Sequence, residues 1–511
     1  MTPVTSLLVT TLLAVPVPAG PGSVLDPVPA GNPAPAVSPT APRPAGGSAT
    51  PTPGSPTPAS PATPTPGDPA TPTSPAGPTS GRPATPTGTP TPTPAGTAQP
   101  VPPARTVPPA PGGVAVAAAP VTWTTANSTA TGDQDVPAIA ANRNGRVAVV
   151  WEDDRDSTAP EDDVHSEIYL RVFNNGTPVY ELKLSAGGTA GTNWKHVTPD
   201  VGIDDRGNVV VVWADDPDGN GFYNVPYRVV SPTGSVLTSG RANASADGQQ
   251  LHPKVAVDPD GAPNSTTAVG FSVVWEDVQG TAPATVRVAG YTNNTTKAYE
   301  VPASQSTGEH HRPDVAVSAS GDALVVWDED GDANGSYNVG LARFARSNGA
   351  VNLSRRIANS ASGGQQRRPA IAANFTGDFA VAWESDHTGT AGVWLRSFTS
   401  AAAARHDDVQ VSIAEGAVAP TVGLDDQANA VVGWTVATAA QDIAARGFNP
   451  DGTGTGRLPG QVLGQTTTGR QEQVALTSSP WGEVSVCYTD DNDGNSFDQI
   501  ILGVDGSNSD W

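Results

Sequence analysis

Three short stretches of the chain set oxygen-bearing side chains at alternate positions: Asp216-Pro-Asp218-Gly-Asn220-Gly-Phe-Tyr-Asn224, Asp330-Gly-Asp332-Ala-Asn334-Gly-Ser-Tyr-Asn338 and Asp491-Asn-Asp493-Gly-Asn495-Ser-Phe-Asp-Gln499. A hard cation of Ca2+ size takes about six to eight oxygens at about 2.3–2.6 Å, and a tight loop bent at glycine can turn every second side chain inward to supply them. The spacing predicts Ca2+ as a bound ion. Its ligands would come from Asp216, Asp218, Asn220 and Asn224, from Asp330, Asp332, Asn334 and Asn338, and from Asp491, Asp493 and Asn495. Asn or Gln at the last position lowers the ligand charge, so binding in the micromolar-to-millimolar range is expected. A helix–loop–helix calcium hand is excluded, because Tyr227, Leu341 and Leu502 stand where its twelfth-position Glu would be. Asp, Asn and Gly are also good turn formers, and a plain hairpin turn is the competing reading.

A second recurring position lies three residues before a proline and holds Gln134, His196, Gln250, His310 and Gln366. These side chains are candidates for lining a ligand-binding face or an axial channel. The two His fall in non-adjacent units, which favours hydrogen bonding between neighbours over a shared metal. Glu152, Asp154, Asp156, Glu276, Asp277, Glu384 and Asp386 are expected together on one solvated acidic rim. Trp194 and Trp394 fall outside the repeat register and are candidates for an exposed aromatic platform. No catalytic residue and no organic cofactor is assigned. The chain has no Gly-x-Ser-x-Gly elbow, no His-Glu-x-x-His and no phosphate loop, and acids are too abundant for any one carboxylate pair to mark a glycosidase.

The elements that would position these groups emerge when the chain is folded on itself at a period of 50–60 residues. Seven segments end alike: Val147–Trp151, Val209–Trp213, Phe271–Trp275, Ala323–Trp327, Phe379–Trp383, Ala430–Trp434 and Val484–Tyr488. Each follows a shorter strand that opens near a proline, and each leads through an acidic loop into a third alternating strand and, after an Asn/Gly turn, a fourth. Four antiparallel strands per unit without helical periodicity describe the blade of a β-propeller. The seventh unit runs out after its third strand, near Val504, while Val121–Thr129 reads as an orphan fourth strand ahead of the first unit. Pairing the two closes the ring and removes an open edge. The expected fold is all-β, a seven-bladed propeller over 121–511. The recurring Trp is placed to pack between blades, and Cys487, the only cysteine, reads as a buried structural thiol.

The three acidic loops resemble the Asp-x-Asp-x-Asp-Gly-x-x-Asp calcium loops of integrin-α-type propellers, over about nine residues each. Residues 121–511 as a whole resemble secreted bacterial repeat propellers whose units carry a strand such as Val273-Val-Trp-Glu-Asp277. That resemblance implies the fold and brings no activity with it.

Ahead of residue 121 the composition changes. Of 52 prolines, 34 lie in residues 1–120, with no aromatic residue there and only Asp26, Arg43, Asp68, Arg82 and Arg105 charged. Such a segment has too little apolar surface to offset ordering costs of roughly 1–2 kcal/mol per residue. Residues 21–120 are therefore expected to be a disordered Pro/Thr/Ala-rich stalk, and the apolar run within 1–20 a signal peptide, though without a basic leading segment. Beyond it no stretch is long and apolar enough to span a membrane. The formal charge of −23 disfavours nucleic acid as a partner. The expected protein is a monomeric, secreted or cell-surface binding module that recognises an extracellular polysaccharide or protein through one propeller face. The alternatives are a carbohydrate-active enzyme, glycosidase or lyase, with rim carboxylates, and a structural protein of the envelope.

Overall fold

Every unit alternates apolar and polar residues over short runs broken by Gly, Asn and Asp, which fits a pleated, half-buried surface and little else. In the computed structural model the result is seven four-stranded antiparallel sheets. The structure describes residues 121–157, 165–189, 192–262, 265, 267–412, 416–437, 441–464, 469–491 and 497–504. The expected signal peptide and stalk, and Asp493 and Asn495 of the third loop, lie outside the described residues. Among the described residues no helix is long and apolar enough to cross a membrane.

The innermost strands of blades one to seven are Gln134–Ala141, Lys195–Ile203, Gln249–Val257, Glu309–Val317, Gln366–Ala373, Ala417–Leu424 and Gln471–Ser478. Each contacts the next around an axis, and the seventh meets the first. Closure comes from the expected quarter: Thr122–Thr125 pairs with Gln499–Val504 as the outer strand of blade seven, in the register Thr122↔Val504 to Thr125↔Ile501. Trp123 stands opposite Gly503 and meets Tyr488 edge-on, with ring centroids 5.9 Å apart.

Apolar clusters fill all seven seams, and each contains the Trp or Tyr that ends a second strand, packed on the preceding blade. Trp213, for example, packs on Ala148, Val150, Ile168 and Leu170 of blade one. Cys487 is fully buried in the seam between blades seven and one, and burial pushes its thiol pKa far up.

One irregularity repeats in every innermost strand. The register slips by one residue before the proline position, and the residue there is left-handed although it is never Gly: Val136, Thr198, His252, Arg312, Arg368, Ala419 and Gln473, with φ between 46° and 51°. For side chains such as Val and Thr this conformation costs on the order of 1–3 kcal/mol. Its persistence in all seven blades requires compensation, and the preceding blade supplies it. The bulge N–H of Thr198 donates to Glu152 Oε1 at 2.7 Å, that of Arg312 to Glu276 Oε2 at 3.2 Å, that of Arg368 to Asp328 Oδ1 at 2.7 Å and that of Ala419 to Glu384 Oε1 at 2.7 Å. Val136 N–H finds Gln473 Oε1 at 2.5 Å instead. The acceptor in four seams is the acid directly after the Trp, so Glu152, Glu276 and Glu384 are latches between blades rather than members of a solvated rim. One more of that set is not solvated either: Asp154 is buried, as is the intervening Asp153, whereas Asp156 and Asp386 are exposed.

A Cβ built at Gly503 would lie 2.4 Å from the Trp123 ring, so the closing strand fits only against glycine. Gly503→Ala is expected to destabilise the ring by about 1–3 kcal/mol, read by urea denaturation. An unchanged midpoint would show that the closure is not packed as described.

Candidate functional site

Asp216 and Asp330 begin their loops in the same way. Asp216 accepts from the N–H of Asn220 at 3.0 Å and of Gly221 at 2.8 Å, and Asp330 from Asn334 and Gly335, both at 2.9 Å. Asn220 Nδ2 donates to Asp218 Oδ2, and Asn334 Nδ2 to Asp332 Oδ2, each at 2.9 Å. Burial raises the Asp216 pKa, and the nearby Asp218 carboxyl adds to the rise. The last position of each loop serves another purpose. Asn224 Oδ1 accepts from Asn243 Nδ2 at 2.8 Å and Asn338 Oδ1 from Asn359 Nδ2 at 3.0 Å, which ties the loop to the segment entering the next blade.

The five Gln and His positions are all buried. Gln134 Oε1 accepts from Asn127 and Gln250 Oε1 from Asn243, both at 2.9 Å, and Gln366 Oε1 accepts from Asn359 at 3.4 Å. His196 Nδ1 is bonded to Asp215, and His310 Nδ1 lies 3.1 Å from Glu329. Blade seven repeats the position with Gln471, also buried, which donates to Asp490 at 2.8 Å. Gln134, Gln250 and Gln366 are thus tied to the segment entering their blade, and His196, His310 and Gln471 to an acid of their own blade. Of the two out-of-register Trp, Trp394 is buried with its ring 4.2 Å from that of His387, so it forms no exposed platform. Trp194 is half-buried between His165 and His196.

What faces the axis was not anticipated from the sequence. The bulge falls near the start of every innermost strand and so sets two consecutive residues per blade around one end of the ring. Around that mouth run Asp135-Val136, Val197-Thr198, Leu251-His252, His311-Arg312, Arg367-Arg368, Val418-Ala419 and Glu472-Gln473. All the cations fall on blades three to five, and the acids on blades seven and one. Glu276, buried behind the cations, lies 3.2 Å from His252 Nδ1 and 2.9 Å from His311 Nδ1. Burial opposes its charge, but the hydrogen bonds and charges of the two His outweigh that and hold its carboxyl well below the usual carboxylate range. Burial likewise works against the His311 proton, and Glu276, with Asp328 and Glu309 beyond it, raises its pKa. Arg312 Nη1 reaches Asp328 at 3.1 Å and Arg368 Nη1 reaches Glu384 at 3.1 Å. Burial pushes Asp328 up to about 6 against the Arg312 charge.

Arg367 differs from the other cations of this mouth. It has no carboxylate partner among the described residues; its guanidinium lies 4.2 Å above the Tyr337 ring, and its buried Nε has no hydrogen-bond partner. Deeper in the channel Lys254 Nζ stands 3.3 Å from Asp200, and Asp314 acts on it from blade four. Burial pushes Asp314 up to about 6. Across the mouth, carboxylate oxygens of Asp133, Asp135 and Asp498 gather within 4.8 Å of one another. Burial, reinforced by Asp133, pushes Asp498 up to about 7. Asp498 occupies the position in its loop that Tyr223 and Tyr337 hold in theirs: the three carbonyls accept the N–H of Gln134, Gln250 and Gln366 respectively. The signal that could have exposed this mouth is the residue pair before each proline, read across blades rather than along one.

Fold and site together define a seven-bladed propeller with a charged axial mouth. No family model and no curated protein matches the chain. Among solved structures it is similar to a protein of unknown function from Dyadobacter fermentans at 12% identity, covering 75% of this chain and 97% of that one with a TM-score of 0.42. It is also similar to the NanB sialidase of Streptococcus pneumoniae (10% identity, 76% and 70% covered, TM-score 0.41) and to an alpha-L-arabinanase of Penicillium chrysogenum (8%, 60% and 92%, 0.42). Likeness at this level carries no argument about activity.

The shifted groups fix the sign of the pH dependence. Asp328 and Asp498 carry raised pKa values, so the stability they allow while protonated is lost as pH rises from about 4 through about 6 and about 7. His311 is also raised, so its contribution is complete below about 6.5 and lost above its folded value. Unfolding free energy is therefore expected to fall between pH 5 and 8.5, and His311→Gln to flatten the alkaline part. Denaturation series across that range check this; a wild-type ring that gains stability toward pH 8.5 would contradict the assignment.

Proposed function

We propose that this chain is a binding module, secreted or held at the cell surface, that takes an extracellular polysaccharide or protein at the charged mouth of its ring. The observation that carries the proposal is where the repeat is broken. Seam positions stay alike from blade to blade, whereas the mouth pairs change from acid to apolar to cation around the circle. Side chains that only had to close a ring would have no reason to differ in that way. Charged groups turned toward a shared axial opening are the means by which a rigid scaffold holds a ligand.

Calcium fits the loops of blades two and four in part. Burial, with Asp218 nearby, disfavours the charge of Asp216, which a cation would relieve, and the blade-four loop repeats the hydrogen bonding of the blade-two loop. The Asn oxygens already accept hydrogen bonds, Asn220 from Phe222 N–H and Asn334 from Ser336 N–H, both at 2.7 Å within their loops, and Asn224 and Asn338 from the segment entering the next blade, so an ion would have to share them. The enzyme alternative finds its best carboxylates in Asp133, Asp135 and Asp498. Their oxygens, within 4.8 Å of one another, are closer than the roughly 5–9.5 Å separations at which paired carboxyls flank a glycosidic bond. Binding is the better-supported reading.

An array of surface glycans and proteins, probed with and without chelator, is expected to retain the protein on some features and more weakly with chelator present. No retention in either condition would sink the reading. Calorimetry with Ca2+ alone is expected to give binding in the micromolar-to-millimolar range, weakened by the double substitution Asp216→Ala and Asp330→Ala. Absence of both heat and thermal shift removes the ion from the account without touching the mouth.

A further inference from the structure

Resting on the reading of the mouth as a binding site, we infer that it selects a saccharide bearing a single carboxylate, seated on Arg367, and turns away polyanions that would cross to the opposite arc. Four observations lead there. The cations of blades three to five are not equivalent: Arg312, Arg368, His252 and His311 each meet a carboxylate of their own seam, whereas among the described residues Arg367 meets none. A guanidinium is rarely left without an acceptor, and the Arg367 Nε is withdrawn from water without one. The Arg367 guanidinium carbon lies 4.2 Å from the centre of the Tyr337 ring, a cation–π contact that restrains the fork before any ligand arrives, and a restrained planar fork suits a carboxylate. Tyr337 is itself fixed, since its N–H donates to Gln365 Oε1 at 3.1 Å and its carbonyl accepts from Gln366 N–H at 2.9 Å.

The fourth observation sets the selectivity. Across the ring, Asp133, Asp135 and Asp498 make the opposite arc acidic, and the chain as a whole carries −23. A polymer with a carboxylate on every sugar would bring charge against that arc in a partly desolvated mouth, where like charges repel more strongly than in water. A ligand with one carboxylate and an otherwise neutral body meets Arg367 without this penalty.

The test uses the full chain and four probes in calorimetry: a neutral xylo-oligosaccharide carrying one glucuronate, the same compound with its carboxyl reduced to the alcohol, an oligogalacturonate, and the tripeptide Gly-Gly-Ala. The single-acid saccharide is expected to bind, the reduced form about tenfold or more weaker, as loss of a charge-assisted contact implies, and the oligogalacturonate weaker than the single acid. Arg367→Gln should lower binding of the single-acid probe to the level of the reduced one without shifting the melting temperature, and Arg367→Lys should restore part of it. Asp135→Asn should strengthen oligogalacturonate binding several-fold, by a larger factor than any change for the single-acid probe. Equal affinity for the acid and the alcohol, indifference to Arg367→Gln, or preference for the oligogalacturonate overturns the inference. So does binding of the tripeptide in place of the saccharides. If neutral glycans alone are retained on the array, the inference falls while the binding-module reading stands; if nothing is retained, both fall.

Discussion

The structure depends on how one blade is held against the next. A four-stranded sheet with two apolar faces has no stability of its own, and each blade here becomes stable only when the Trp or Tyr ending its second strand is pressed onto the blade before it. Burial alone would tolerate sliding. The acid that follows the Trp prevents it, because that carboxylate must reach one particular N–H, the one exposed by the left-handed bulge of the following blade. Where blade two has Ala214 and blade six Thr435, no carboxylate follows the Trp; in the first of these seams Asp200 accepts the Val255 N–H at 2.7 Å, and in the second the Thr421 hydroxyl accepts the Leu476 N–H at 3.2 Å.

The same bulge links fold and site. The slip recurs once per innermost strand, so the element whose N–H is latched by the neighbouring blade also gives each blade two positions that vary. Scaffold and mouth are therefore coupled through shared residues. Glu276 latches Arg312 N–H and at the same time lies against His252 and His311, and Asp328 likewise holds both Arg368 N–H and the Arg312 head. Protonation at the mouth is felt as stability for this reason.

Much of the fold was legible in the sequence because its determinants are local and repeated: alternation, turn residues, a Trp at a constant place, and a lone strand at one end matching a missing strand at the other. The acidic loops were legible for the same reason, as spacing along one segment. The mouth was not, since Asp135, His311 and Arg367 come together only through a backbone slip that no composition announces. The Gln and His series shows the intermediate case. Its recurrence was visible, but its burial depends on Asn127, Asn243 and Asn359, seven residues earlier, whose amides take up the same polar atoms. The acids after each Trp were misplaced on a solvated rim because one-dimensional spacing cannot distinguish a carboxylate facing water from one facing a neighbouring backbone.

Sealing the ring with Thr122–Thr125 also has a mechanical side. The covalent path from the chain before residue 121 enters the domain through its outermost strand, so tension along that path loads four residue pairs and one Trp on glycine before it reaches any other sheet. The closure is thus the first pairing to carry load, and a pull that peeled it would expose the edge of Gln499–Val504.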